Sequence, residues 1–548
     1  MKSCQKVLCI VFLISAIFFI VGCGGSGSSG KENKINTFSL GPNAQGAMKL
    51  VDNIYNVTIV SKHENALKAE YDAGFIQGKL QRNLIVSARD NYWDVAYLTD
   101  PSHAFPAQIP PTQGELSTAL GVLKDNYAYT IEYIRKQPNP VTAQNLKRLL
   151  FRMLGIYHGT LLETPATLDF SGEWLPDVGY FSPSELLLGY ETPDLTFMDI
   201  YFINGSADLM DVIASLVDAP TPLRLPKCSA FVKKTADDIY IAHNSWYGFL
   251  AQSMAMNLSI NDTFVTFNTL SPGLISSLTD FGYNNRGIMF NETTHHATYS
   301  QPKKDALWMV WRSSLAEQFS GSLDEFFDYL SLEPSGTYMN GYMIVDVKTR
   351  EIGLVEMSYK SFVFFKPNGQ NGYDVITKPD ALYKGYDPEL ITAEYILGIN
   401  YPVSYQIRDD LHAIDTRPAR RYQFLKAISN LNDIESAKAL ITYTDPDNPL
   451  SIYGRWDLGY GLTPTPKTVP DGSIDAKVFS ANMASYAKDL EGIFDLNSPY
   501  PSFWMKYGSP HVKGRPFIWS ESQWKGQKLR DVPNIIDGKY HLLHLYIR

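Results

Sequence analysis

The hydrophobic pattern of this chain changes its period once, at a proline-rich stretch holding Pro220, Pro222 and Pro226, and that change constrains the fold more than any other feature. Before it, Ala66 to Asp90, Leu116 to Lys136, Thr142 to Leu162 and Asp199 to Val217 each carry apolar residues at helical spacing. In the third segment Leu146, Leu149, Leu150, Met153 and Tyr157 share one face and are assigned to core packing. After it, Ser229 to Lys234 and Asp238 to His243 read as short strands around the turn Thr235-Ala236-Asp237. Ala255 to Ile260 and Thr263 to Phe267 flank Asn261-Asp262, a hairpin signal. Arg286 to Asn291, Gly341 to Val347 and Ile352 to Met357 add strands, the last pair joined through Lys348 to Glu351. Leu307 to Phe319 reads as an amphipathic helix, and Ser322 to Leu330 as another, capped by Ser322 with Glu325. Hairpins and helices in separate blocks predict an α+β layered fold rather than a parallel, doubly wound sheet.

At 548 residues the chain is too long for one ordinary domain but fits one large assembly. Its 45% hydrophobic and 19% charged content is that of a globular protein with ample core. The net charge of −9 argues against nucleic acid as a partner, because phosphate binding needs clustered Lys and Arg. Lys2 and Lys6 precede the apolar run Val7 to Val21, which reads as an export signal over residues 1–22. Ile20-Val21-Gly22-Cys23 resembles the bacterial lipobox, which implies a lipid on Cys23 and attachment to a membrane of the cell envelope, periplasmic or outer-surface. The Gly/Ser run after Cys23 reads as a tether over residues 23–37. An ordinary cleaved signal or an uncleaved anchor is the competing reading.

Of the four cysteines, Cys4 and Cys9 fall in the signal and Cys23 in the lipobox, leaving Cys228 as the one thiol of the exported body. A solitary thiol in an oxidising compartment is either a buried small residue or a useful nucleophile. The proline stretch keeps the bond between Lys227 and Cys228 extended and cleavable, and divides the chain into 38–227 and 228–548. Two antiparallel strands joined by a short turn would return His243-Asn244-Ser245-Trp246 to Cys228. Adjacent His295-His296 are expected on opposite faces of a strand, which argues against a shared metal site; no cofactor is expected. No Gly-x-Ser-x-Gly elbow, His-Glu-x-x-His or Walker loop occurs in the folded region. Tyr540 to Arg548 reads as an edge strand.

Cys228-Ser229-Ala230 followed by His243-Asn244-Ser245-Trp246 resembles the phospholipase B-like (lamina ancestor) family of cysteine N-terminal-nucleophile hydrolases, whose corresponding runs are Cys-Ser-Ala and His-Ser-Thr-Trp. Glu292-Thr293-Thr294, Ser335-Gly336-Thr337-Tyr338-Met339-Asn340, Pro418 to Arg421 and Gly472 to Val478 also match, in the family's order. Upstream, Ala73 to Gly78 and Asn204 to Leu209 fall in the expected places, so that the similarity runs from about residue 65 to 525. The departures are Asn244-Ser245 for Ser-Thr and Met339 for the first Asn.

The resemblance implies a four-layer αββα sandwich, a mainly helical segment before Cys228, and self-cleavage between Lys227 and Cys228. The freed α-amino group, of ordinary pKa about 7.7–8.0, then serves as base for its own thiol. It implies deacylation of glycerophospholipids through an acyl-enzyme; the two fragments are expected to stay associated, because the apolar faces of the segment before Cys228 need the rest of the chain as partner. Asn340 is the candidate oxyanion donor or a turn-capping amide; Arg420, beside Arg417 and Arg421, holds the nucleophile strand or a substrate anion, or lies on a solvated face. His243, Trp246 and Thr293 are expected to bind substrate, against structural roles in core and strand. An amidase acting on N-acyl compounds with the same nucleophile is the first alternative, and a non-catalytic lipoprotein that binds a lipid or partner is the second.

Overall fold

The computed structural model describes residues 35–94, 113–216, 228–248, 253–261, 263–277, 281–379, 383–455, 471–485 and short stretches between 503 and 543. Cys23, the proline stretch and Lys227 lie outside the described residues, as does the end of the expected C-terminal strand.

Three strands open the fold, β1 (Ile35–Ser39), β2 (Ala44–Val51) and β3 (Ile54–Ser61), followed by α1 (Ala66–Asp94), α2 (Gln113–Lys136), α3 (Pro140–Leu161) and α4 (Phe197–Leu216). The segment before Cys228 is therefore mainly helical, as expected, but its first part is sheet, which the sequence reading passed over. The signal was present: β-branched residues crowd Ile54–Ser61 behind Asp52-Asn53, both at positive φ in a tight turn. Beyond Cys228 come β4 (Ser229–Lys234), β5 (Ile239–Asn244), β6 (Trp246–Gly248), β7 (Ser253–Ile260), β8 (Thr263–Thr269), β9 (Phe281–Asn284) and β10 (Ile288–Thr294). Next are α5 (Met309–Phe319), α6 (Leu323–Leu330), β11 (Asn340–Asp346), β12 (Glu351–Met357), β13 (Phe362–Pro367), β14 (Tyr373–Lys378) and β15 (Tyr395–Gly398). The last part holds α7 (Tyr405–Leu411), α8 (Pro418–Ala427), α9 (Ile434–Ile441), β16 (Asp471–Ser473), β17 (Asp475–Ser480), β18 (Trp504–Tyr507) and three two-residue strands, β19 (Phe517–Ile518), β20 (Ile535–Ile536) and β21 (His541–Leu542).

The fold is α+β. An 11-stranded sheet runs β1-β2-β3-β7-β8-β9-β10-β11-β12-β13-β14, antiparallel throughout except where β3 pairs in parallel with β7. A six-stranded sheet, β15-β4-β5-β17-β18-β21, packs against it through β4, β5 and β15 over β10, β11 and β12. Side-chain alternation sorts the large sheet's two faces. Met289, Met343 and Val345 meet Ala230 between the sheets, while Phe290, Tyr342 and Ile344 meet Phe326 of α6 on the other side. On the far face of the second sheet Phe231 stacks edge-on against Phe424 of α8, and α9 covers β5 and β17.

Local chemistry places the helices. Asn139 caps α3, its Oδ1 accepting Val141 N and Thr142 N at 2.9 and 3.2 Å, with Pro140 at the first helical position. Ser322 caps α6 through Glu325 N at 3.1 Å, as its position in the sequence predicts. Between α1 and α3 the backbones touch: a Cβ at Gly74, Gly78, Gly155 or Gly159 would lie 2.1–2.2 Å from a carbonyl oxygen of the facing helix. No described helix is long and apolar enough to cross a membrane.

Candidate active site

Cys228 stands one residue before β4, which is held on one side by β5 (Ser229 opposite Asn244, Ala230 opposite His243) and on the other by β15 (Ala230 opposite Gly398). Alternation puts Cys228 on Ala230's face, toward the large sheet. There Thr293 of β10 lies against Gly398 so closely that a Cβ would come within 2.8 Å of its Cγ2. Only glycine admits that contact, which closes the two sheets over the strand that Cys228 precedes. Asn291 of the same strand fastens the sheets further, its Nδ2 donating to Phe231 O and Ala242 O at 3.0 and 3.1 Å.

Arg420 of α8 is fully buried and is not on a solvated face. Its Nη1 donates to the Cys228 carbonyl, to Ser229 Oγ at 3.1 Å and to Asn400 Oδ1 at 2.8 Å, while Nη2 donates to Ile399 O. One guanidinium thus ties the start of β4 to the end of β15. Asn400, at φ 59°, extends the tie by donating from Nδ2 to Thr294 O at 2.6 Å. Sequence reasoning missed Asn400; a lone Asn after a short strand carries no local signal.

His243 is fully buried, and burial together with the nearby Lys477 ammonium pushes its pKa well below the ordinary range, so the ring is neutral. Trp246 is also buried; its Nε1 donates to Ile452 O at 3.3 Å and the Arg417 guanidinium stacks 3.7 Å from its ring. Asn340 opens β11 opposite Thr294, with a buried amide of which neither atom has a hydrogen-bond partner. No hydrogen bond links it to Cys228, Arg420 or Asn400.

Around the thiol, burial and the Glu292 carboxylate push the Cys228 pKa up to about 12, opposed by the Trp246 main-chain N–H and by Lys477. The intact chain therefore holds a protonated thiol at neutral pH, and a nucleophile here needs a base beside it. Asp475 and Lys477, both fully buried, complete the surroundings with an ion pair of 2.7 Å. Their run, Gly472 to Val478, carries no role in the sequence beyond its match; opposite charges two apart in an apolar strand are the available signal. A cleft of about 610 Å³ lined by Tyr401, Tyr405, Arg408, Asp409 and His412 begins one residue beyond Asn400. Among the described residues no cluster of three or more His, Cys, Asp or Glu could hold a metal ion.

The sequence is similar to those of known proteins. A family model, Phospholipase B, matches residues 185–367, a span that includes Cys228, His243, Trp246, Thr293 and Asn340. Phospholipase B-like 1 of Rattus norvegicus is 31% identical over 367 residues, covering 60% of this chain and 64% of that protein. Phospholipase-B 81 of Drysdalia coronoides is 27% identical over 53% of this chain and 58% of its own length. Phospholipase B-like protein B of Dictyostelium discoideum is 22% identical over 88% of this chain and 81% of its own length. The chain thus spans under two thirds of the rat and snake proteins. By these matches the chain is similar to the phospholipase B-like family.

Proposed function

We propose that the chain is an acyl hydrolase that cuts its own backbone before Cys228 and then uses the freed cysteine as an N-terminal nucleophile. One observation carries the reading: the one cysteine among the described residues opens a strand facing between two packed sheets, with its carbonyl gripped by a buried arginine. A cysteine that merely fills space needs no such grip. The order helices, large sheet, second sheet, helices supports an αββα sandwich of the N-terminal-nucleophile type.

The chemistry follows from the thiol's surroundings. Attack of Cys228 Sγ on the Lys227 carbonyl moves the acyl group from nitrogen to sulfur, and water opens the thioester, leaving a carboxylate on Lys227 and an α-amino group on Cys228. A thiol held near pKa 12 is a poor nucleophile unaided. The new amine, with an ordinary pKa of about 7.7–8.0, takes its proton within one residue. The thiolate then attacks an acyl carbonyl, the leaving group departs with a proton, and water releases the acid. Asn340, a buried amide with unused donors, is the oxyanion candidate; a lost donor of that kind costs about 3 kcal/mol. Arg420 fixes the nucleophile's strand, and His243, Trp246 and Thr293 wall the site.

Relatives named phospholipase B favour a glycerophospholipid ester as substrate, and a lipid on Cys23 would hold the enzyme beside such lipids at the cell envelope. An N-acyl amide is the competing substrate, since the leaving-group pocket and not the thioester decides between them. The test is intact mass and N-terminal sequencing of a Cys23→Ser protein beside its Cys228→Ala counterpart. We expect two co-purifying fragments, the larger beginning Cys228-Ser229-Ala230 and absent from the alanine variant. A single intact chain in both, at every pH tried, would overturn the mechanism. Release of fatty acid from phosphatidylcholine against release from an N-acyl amino acid then settles the bond type.

A further inference from the structure

The strands flanking Cys228 contain an irregularity. β5 pairs with β17 in one register (His243 opposite Lys477), whereas the continuing β6 pairs with β16 in another (Trp246 opposite Ser473). The two registers differ by one residue, so Ile474 and Asp475 together oppose the single residue Ser245. This is a β-bulge, a device that re-aims the chain next to functional sites. Side chains fill the broken ladder. Asp475 Oδ1 accepts Ser245 N at 3.0 Å and its Oδ2 accepts Ser253 Oγ at 3.3 Å. Lys477 Nζ donates to Ser245 Oγ and to Asp475 Oδ1, each at 2.7 Å, and Ile474 N donates to Ser245 O at 2.9 Å. Ser245 is thus held from every side, and the next main-chain N–H, that of Trp246, lies against the Cys228 thiol.

Two buried charges are a costly way to hold one serine, since an apolar pair would avoid their desolvation. Their geometry gives the reason: both converge on the residue whose orientation sets the direction of the Trp246 N–H. Resting on the reading of Cys228 as nucleophile, we propose that Asp475 and Lys477 are positioning residues that clamp the bulge at Ser245 and thereby aim the Trp246 main-chain N–H at the Cys228 sulfur. The donated hydrogen bond favours the thiolate over the thiol, in self-cleavage and in turnover alike.

The test reads the thiol directly and needs no substrate. Purified full-length chains are treated with iodoacetamide between pH 6 and 10, and alkylation of Cys228 is followed by peptide-resolved mass spectrometry. Lys477→Met and Asp475→Asn are each expected to slow alkylation at pH 8 by about 10-fold, the equivalent of about one pKa unit. Lys477→Arg should recover most of the rate. The sign separates positioning from its rivals. Charge alone would make Asp475→Asn react faster, because a nearby anion is removed, and general loosening would also speed reaction by exposing the thiol. Faster alkylation of Asp475→Asn, or wild-type rates in both variants, overturns the proposal. Should Lys477→Met not fold, Ser245→Ala decides: it keeps both charges and removes only the Oγ contact, so slower alkylation supports the clamp and an unchanged rate defeats it. A wild-type chain that never cleaves itself would defeat the functional reading while leaving this comparison intact.

Discussion

Glu356 carries in one side chain a pH dependence that the whole fold inherits. It is buried, accepts Val403 N and Ser404 N at 2.6 and 2.7 Å just where α7 begins, and lies 3.8 Å from His295 Nε2. Burial pushes its pKa up to about 7, against the pull of those two N–H groups and of Arg408. A carboxyl raised on folding binds its proton more tightly in the folded state. Its contribution is therefore complete below the ordinary value of 4.5 and is lost as pH rises through about 7. Glu356→Gln, neutral at every pH, escapes that loss. Relative to wild type, its unfolding free energy should rise by on the order of 3 kcal/mol between pH 4.5 and 8.5, read from urea midpoints; a constant difference would refute it. His295, pushed down to about 3 by burial, works in the opposite direction and loses stability as pH falls below 6.5. None of this was legible in the sequence, because Glu356 meets partners 47 and 48 residues away. The same holds for Arg420, which was picked out by its motif but acts on a carbonyl 192 positions earlier. A short run marks a residue out in the sequence, as at Cys228 and Thr293, whereas nothing local marks one that tertiary contact alone brings beside them, as at Asn400.

Elements were more legible than residues, for reasons visible in particular cases. β4 spans the residues its pattern predicts, and α6 begins at the cap predicted for it, because turn and cap chemistry are local. The β2–β3 hairpin was missed, and the parallel pairing of β3 with β7, some 200 residues apart, leaves no local trace. The α1–α3 pair shows what a short motif can hide. In the sequence Ala73 to Gly78 is only a matching run, yet Gly74 and Gly78 face Gly155 and Gly159 so that the two backbones meet. A methyl group at Gly74 would lie 2.1 Å from Arg152 O, and one at Gly155 2.2 Å from Tyr71 O. Backbone cannot step aside as a side chain can, so the helices must part. Gly74→Ala and Gly155→Ala should each cost about 3 kcal/mol, the upper end of overpacking effects. Gly121 of α2, exposed with nothing within 4 Å, supplies the control: its change to Ala should stabilise by up to about 1 kcal/mol. Thermal unfolding of the three variants side by side checks both signs.

At the scale of the whole molecule, the place of the proposed cut determines what cutting can do. The chain before Cys228 is not an appendage of the chain after it. β3 sits inside the 11-stranded sheet, paired along its full length, Ile54–Ser61, with Ser253–Ile260 of β7. α1 and α3 send Glu70, Arg148 and Arg152 into a buried ionic network that continues to Thr263 and Gln318, both beyond Cys228. α4 holds the start of α5 through Asp208, whose Oδ1 accepts Met309 N at 2.8 Å. Separating the fragments would open a sheet at its interior, strand those charges and expose the apolar core that α1, α3 and α4 share with Trp308 and Trp311. Hydrolysis of one peptide bond removes none of these contacts. The cleaved protein should therefore behave as one body: both fragments eluting together from size exclusion in 1 M NaCl, separating only in denaturant, and unfolding in a single transition. Salt weakens surface ion pairs but not a sheet ladder or an enclosed apolar core, so dissociation at high salt alone would show that the fragments are held from outside rather than woven through the fold.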